Sequence, residues 1–423
     1  MTGPLRRAAF GALLAALLLA GAEGVVRLLG VAAPGPPEAP GGRWYRLSET
    51  LGWAPRPGFR GEMYGAERAF GEDGLFAEDG RQAADRRAPK VLLLGDSRTF
   101  GFRTPVPETF GELLEVRSGR ASPRLAAINL AVPGYSVVQG EARLLEDGLP
   151  IEPAAIVVAF GFNDRRYVLA DEERDRAERF RRLAGEGRRM DLLGRLALAR
   201  LIGTAVRGDG ERYDREGGPV DLTRLGVRVP EDRYEAALGR LLAAAARRRV
   251  PTVVLLLPDN PAQTAGLRRG AELVAAGEPE RAVPLLERVA AGGTVFDDLA
   301  RLELARAWRA LGEPERAARA ATAPRSWRSL HGGNLLRLEG GYHAAARRAA
   351  AEADATVVDL TAELAAGDFL DYCHLSPAGH RRVAAHLAPA LAEALGARDI
   401  PGSSPYIPNR SRASSSTRSS TTP

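Results

Sequence analysis

The chain has 423 residues, a net charge of +6, 45% apolar and 26% charged residues. That is enough apolar material for a sizeable core and about two to three units of ordinary size; it excludes a wholly disordered chain, a collagen and a disulfide-rich miniprotein. A single cysteine, Cys373, excludes an intramolecular disulfide and a cysteine-based zinc site, so the chain suits an oxidising or a reducing compartment.

Lys90 is the only lysine among 59 basic residues. The arginines are scattered and mixed with acids, as in Arg174–Glu178–Arg182, and no basic stripe interleaves with aromatics. The charge reads as a solvated surface, and no nucleic-acid partner is expected.

At the N-terminus, Arg6 and Arg7 precede an apolar run from Ala8 to Ala22. A basic stretch before an apolar one is how a secretory signal begins. The run is about 15 residues, short of the roughly 20 that span a bilayer. Glu23 and Arg27 interrupt it, yet Val25, Val26, Leu28, Leu29 and Val31 continue it, which favours an uncleaved membrane anchor over residues 1–33. Ala20-Gly21-Ala22 also suits a small-x-small cleavage site, which would make the segment a signal peptide. Both readings place the body on the extracytoplasmic side, as a single-pass membrane protein or as a secreted or periplasmic one, with Arg6 and Arg7 staying inside.

Residues 34–88 read as a linker, rich in Pro and Gly up to Gly42, followed by an irregular lead-in with Trp44, Tyr45, Trp53 and Phe59. Val91–Leu94 is a short apolar run closed by Gly95, the pattern of a buried strand. Leu125–Leu130, Ala155–Phe160, Thr252–Leu257 and Thr356–Leu360 repeat it, with helical patterns such as Thr109–Arg117 and Tyr234–Arg248 between. The alternation predicts the α/β class: a three-layer α/β/α sandwich on a five-stranded parallel sheet, built from residues 89–262 and 324–398. Two helical insertions interrupt it. One spans about 168–228, with Asp171–Leu183 and Met190–Val206 as helices. The other spans 263–323, where Gly277-Glu278-Pro279-Glu280-Arg281-Ala282 recurs as Gly312-Glu313-Pro314-Glu315-Arg316-Ala317, 35 positions later. That offset is close to the roughly 34-residue tetratricopeptide period. Helices at Leu267–Ala276 and Arg281–Ala290, then Leu299–Leu311 and Arg316–Ala321, would make one complete and one partial unit. Fewer than three such units rarely stand alone, so the segment packs on the sheet domain, as a partner-binding groove or as padding. Residues 399–423 read as a disordered tail.

The chemistry starts at Gly95-Asp96-Ser97, directly after the first predicted strand. A serine there lies at the carboxyl end of a parallel strand, where open α/β sheets place ligands. Gly95 permits a tight turn, and the next helix begins near Pro107, leaving a loop around Ser97. Alone, the tripeptide is an ordinary turn, and serine needs a base to become a nucleophile. Among five histidines, His374 closes Asp371-Tyr372-Cys373-His374. One tight turn lets Asp371 accept a bond from His374 Nδ1 and leaves Nε2 for Ser97. Two further loops after strands offer oxyanion donors: the Gly134 backbone N–H within 129–135, and the Asn163 amide within 160–164. Asp164 either positions the Asn163 loop or caps a following helix. Arg98 either attracts an anionic substrate or pairs at the surface with a nearby acid. Cys373 reads as a small buried filler and His380 as a packing or capping residue of the last helix.

With Gly95-Asp96-Ser97, the Gly134 loop, Gly161-x-Asn163-Asp164 and Asp371-x-x-His374 in this order, the chain resembles the SGNH (GDSL-type) hydrolase family. Leu375-Ser376-Pro377-Ala378-Gly379-His380 continues the likeness, which covers roughly residues 89–262 and 324–397. The resemblance implies the three-layer fold and serine ester hydrolysis or acyl transfer. It implies Ser97 as nucleophile, His374 as base and Asp371 as its orienter, with an oxyanion hole from the N–H groups of Ser97 and Gly134 and the Asn163 amide. It implies no metal and no organic cofactor. The two insertions depart from the compact family core. The lead-in, with Leu51-Gly52-Trp53, is similar to that of bacterial membrane-anchored members with helical repeats. The expected activity is that of an exported, membrane-anchored esterase acting on O-acyl esters, acetyl above all, of envelope carbohydrates or lipids. The same residues would serve O-acyl transfer to an envelope glycan. A silent scaffold that binds a protein partner through 264–323 is the reading from another class, and the intact set Ser97, Asn163, Asp371 and His374 speaks against it.

Overall fold

The structure, a computed structural model, describes residues 3–28, 44–72, 74–75, 88–118, 125–169, 220–294, 296–323 and 338–396. The helices expected at 171–183 and 190–206, the linker at 34–42 and the tail at 399–423 lie outside the described residues.

The N-terminal apolar run forms one helix, α1 (Gly3–Leu28). Among the described residues no helix is long and apolar enough to cross a membrane, so a spanning anchor over 1–33 is not shown. The lead-in is more regular than its sequence suggests. Strands β1 (Tyr45–Ser48) and β2 (Gly52–Pro55) pair antiparallel, as do β3 (Arg60–Met63) and β4 (Ala66–Ala69). Tyr64 and Gly65, both with positive φ, turn the second hairpin, as two-residue hairpin loops require. β2 is buried at all four positions, so it carries no alternation to read.

The main sheet is parallel and has five strands, β5 (Lys90–Gly95), β6 (Ala126–Asn129), β7 (Ala155–Ala159), β11 (Thr252–Leu256) and β13 (Thr356–Asp359), in the order β13-β11-β7-β5-β6. The remaining short strands β8 (Tyr167–Leu169) and β10 (Leu225–Val227) pair with each other, and β9 (Val220–Asp221) pairs with β12 (Thr322–Ala323). Helices follow the strands: α2 (Ser97–Phe100), α3 (Phe110–Ser118), α4 (Val137–Arg143) and α5 (Glu231–Arg247); then α6 (Pro261–Ala275), α7 (Pro279–Ala290), α8 (Asp297–Ala310) and α9 (Pro314–Ala320); and finally α10 (Gly340–Glu352) and α11 (Pro377–Ala394).

Alternate strand residues feed two cores. Leu92, Leu94, Ile156, Val158, Val254 and Leu256 join residues of α5 and α10 and the N-terminal hairpins. Val91, Leu93, Ala155, Val157, Val253 and Leu255 join residues of α3 and α11. This is the expected α/β/α sandwich, and burial on both faces explains the unbroken apolar runs of its strands. Leu92, Leu93 and Leu94 are fully buried, each contributing roughly 2 to 3 kcal/mol by removal from water.

The second insertion packs around a third core, with Leu267, Leu286, Phe296, Leu299 and Ala305, that Tyr167 and Leu222 also enter. Its repeated hexapeptide makes the same turn twice. Gly277 and Gly312 both adopt φ 75, a conformation that glycine adopts without strain, and Pro279 and Pro314 start the next helix at its first position.

The strand order decides where a ligand can sit. β5 comes first of the five in sequence yet lies between β6 and β7, so the chain reverses its winding direction there. Such a switch point opens a crevice beyond the carboxyl ends of the strands. Gly95-Asp96-Ser97 stands at its mouth.

Candidate active site

Ser97 does not lie in an open loop. It is the first residue of α2, capped by Asp96, whose Oδ1 accepts the Arg98 N–H at 2.9 Å. The Ser97 N–H, in the first turn, has no intrahelical acceptor. Gly95 is required by close approach and not by a left-handed turn. A Cβ there would stand 2.2 Å from Thr99 Oγ1 and 2.8 Å from the Ala159 carbonyl oxygen. Arg98 is buried, not at the surface. It pairs with Asp96 at 3.2 Å, donates to the Leu257 carbonyl at 3.2 Å and lies over the Phe162 ring. It therefore braces the turn and does not present a free charge to substrate.

His374 reaches across from the far end of the chain. Its Nε2 is 2.9 Å from Ser97 Oγ and its Nδ1 is 2.7 Å from Asp371 Oδ2. Asp371 Oδ1 accepts the Cys373 N–H at 2.9 Å and the His374 N–H at 2.8 Å, an Asx-type turn that fixes the carboxylate. Burial alone would raise the Asp371 carboxyl; the His374 imidazole and these N–H groups outweigh it and hold it at about 2. The loop is closed by a bridge between Phe369 and Leu375, and the Leu370 N–H donates to the His374 carbonyl at 2.8 Å. Phe102 stacks on the His374 ring at 4.2 Å and 22°.

The two oxyanion candidates lie on the loops after β6 and β7, the strands on either side of β5. Gly134 has φ 87, which favours glycine, and a Cβ there would meet Trp53 at 3.3 Å. Its carbonyl accepts a bond from Arg228 at 2.8 Å. Asn163, 4% exposed, donates one amide hydrogen to the Tyr135 carbonyl at 3.1 Å. An amide carries two donors, so the second is available to a ligand. Asp164 ties the two loops together. Its Oδ1 accepts the Val137 N–H at 2.8 Å and its Oδ2 the Gly161 N–H at 2.9 Å. It positions the Asn163 turn and bonds the start of α4, which precedes it in sequence. Burial pushes Asp164 up to about 6, against the pull of those N–H groups and Arg228.

The remaining sequence candidates are structural. Cys373 is fully buried, and desolvation pushes its thiol well up. Asp371, Cys373 and His374 hold donor atoms within 4.8 Å of one another, but Nδ1 is engaged by Asp371 and the thiol stays protonated, a poor donor set for a metal. His380 packs in the core, accepting the Phe110 N–H at 3.3 Å and stacking on that ring; burial lowers it to about 3. Sequence reasoning missed Arg228, Phe102 and Trp53. Arg228 lies 94 residues from the glycine it braces, and no local pattern records such a pairing.

The arrangement can deprotonate a serine hydroxyl and stabilise a charge that develops beside it. No protein-family model matches the chain, and no curated protein matches it. Among solved structures it is similar to a lipase/acylhydrolase from Enterococcus faecalis, with 13% identity, 72% of this chain and 96% of that one covered, and a TM-score of 0.36. It is also similar to a psychrotrophic esterase from Pseudoalteromonas sp. inhibited by monoethylphosphonate, with 9% identity, 73% and 98% covered, and a TM-score of 0.35. A third is a catalytic mutant of an acetylxylan esterase from Geobacillus stearothermophilus, with 15% identity, 73% and 94% covered, and a TM-score of 0.34. These scores are low, so the chemistry rests on the side-chain geometry of this chain.

Proposed function

We propose that the protein is a serine esterase of SGNH type. The observation that carries this reading is the unbroken chain Asp371 Oδ2–His374 Nδ1 at 2.7 Å and His374 Nε2–Ser97 Oγ at 2.9 Å, at the switch point of the sheet. Ser97 Oγ attacks the ester carbonyl while Nε2 takes its proton. The N–H groups of Ser97 and Gly134 and the Asn163 amide hold the oxyanion. Asp371, ionised at any neutral pH, stabilises the imidazolium. His374 then protonates the leaving alcohol, and water hydrolyses the acyl-serine by the reverse path.

Ser97 is only 8% exposed, which supports a small acyl group such as acetyl. The substrates proposed are O-acyl esters of envelope carbohydrates or lipids, and the body is proposed to act outside the cytoplasm. Support for membrane attachment comes from α1, where Phe10, Leu13, Leu14, Leu17, Leu18 and Leu19 are all exposed. A run of bare apolar side chains calls for a lipid or protein surface.

Intact-mass analysis after a fluorophosphonate probe tests the chemistry. One adduct on the wild type and none on Ser97→Ala is the expected result. A folded wild type that takes no adduct, or equal ester turnover in both proteins, overturns the reading.

A further inference from the structure

The second insertion is entered through Asp259-Asn260, between the end of β11 at Leu256 and the start of α6 at Pro261. We infer that this dipeptide is a positioning element that holds the Asp371–His374 loop and the Asn163 loop in register, and through which the helical insertion supports the site. The inference rests on the serine-esterase reading above.

Asn260 caps α6: its Oδ1 accepts the Ala262 N–H at 3.1 Å. The same side chain turns its Nδ2 onto the Asp371 carbonyl at 3.0 Å, and its backbone N–H donates to the Tyr372 carbonyl at 2.9 Å. Capping alone does not call for asparagine, because serine and aspartate cap as well. Only the amide joins a cap acceptor to a donor that reaches the base loop. Asp259, 1% exposed, forms an ion pair with Arg165, two positions beyond Asn163. The Asp259 N–H points to Glu339 at 3.4 Å, and Glu339 is gripped by Arg268 of α6 and lies 3.9 Å from Arg165. Phe296 of the insertion meets the Tyr372 ring edge-on at 6.1 Å.

Both loops that must face Ser97 are thus bonded to two adjacent residues; Asn260 is bonded to the first helix of the insertion directly, and Asp259 through Glu339 and Arg268. Displacing a base by about 1 Å can lower turnover roughly a hundredfold, so such bracing has consequences for rate. It differs from the partner-groove and padding readings, in which the insertion owes nothing to the site.

The test uses the full-length protein and its Asn260→Ser, Asn260→Ala and Arg268→Gln variants. kcat and KM on p-nitrophenyl acetate, the rate of fluorophosphonate labelling and Tm are read on each. Asn260→Ser keeps a cap acceptor and loses the donor to Asp371. It is expected to melt near the wild type, keep its KM, and lose kcat and labelling rate by about tenfold. Asn260→Ala is expected to lose the same kcat and also to melt lower. Arg268→Gln, at a partly exposed position, is expected to lower kcat about threefold at unchanged KM. Wild-type kcat in Asn260→Ser, or activity that follows Tm across the asparagine variants, overturns the positioning role. Wild-type kcat in Arg268→Gln removes the insertion from it. A wild type that takes no label defeats the esterase reading instead, so the two failures are distinct.

Discussion

The site has two halves that are carried differently. Ser97 and Asn163 follow β5 and β7 almost directly, and Gly134 follows β6 after a short loop, so the sheet itself aligns them. Asp371 and His374 stand well past the end of β13 at Asp359, on a loop closed by its own turns and by bonds from Asn260 and from Thr104, which donates to the Leu375 carbonyl at 3.2 Å. The sheet half inherits its precision from strand register. The loop half has to be held by specific side chains. An insertion placed between β11 and β13 therefore reaches the second half directly, through Asn260, and the first only through the Asp259–Arg165 pair.

The largest expected effects treat the halves as equals. Ser97→Ala and His374→Ala should each lower kcat by about four orders of magnitude or more, and the double variant no further, because the two act as one unit. Additive losses in steady-state kinetics would break the unit. Asn163→Ala, on the sheet half, should lose about two to three orders in kcat with little change in KM, as removal of one oxyanion donor does. A change confined to KM would take Asn163 out of the transition state. Arg228→Met should lower kcat about tenfold by freeing the Gly134 carbonyl from its clamp, an effect smaller than that of any group touching substrate. The last effect is on stability and not on rate. Asp164 has its folded pKa raised, from 3.8 to about 6, so the folded state holds the proton more tightly than the unfolded chain. Its contribution is greatest below pH 4 and declines as pH rises through 6, by on the order of 2 to 3 kcal/mol. Urea unfolding at pH 4 and pH 7 should show the advantage of the wild type over Asp164→Asn shrinking with pH. An advantage that grows would contradict the burial that sets this shift.

The same division governs what the sequence reveals. The strands of the sheet are legible because burial on both faces leaves apolar runs such as Val91–Leu94 and Ala155–Ala159. Ser97, Gly134 and Asn163 are legible because each follows such a run. Asp371 and His374 are legible for another reason: a bond spanning three residues leaves a local motif. The hairpins at 45–69 were hidden by strands of four residues, one of them buried throughout. Asp96 as a helix cap turned an expected loop into the start of α2. Asn260 was illegible because its partner Asp371 is 111 residues away, and nothing near either residue records the pairing.

Ser97 and His374 are separated by 277 positions. A ribosome delivers chains from the N-terminus at about 5 to 20 residues per second. Ser97 therefore emerges many seconds before His374, and a serine without a base is a weak nucleophile. Under the proposed esterase mechanism, the order of the two residues along the chain would act as a timer: the nascent protein would carry no activated serine until translation has passed the helical insertion and the base loop has docked.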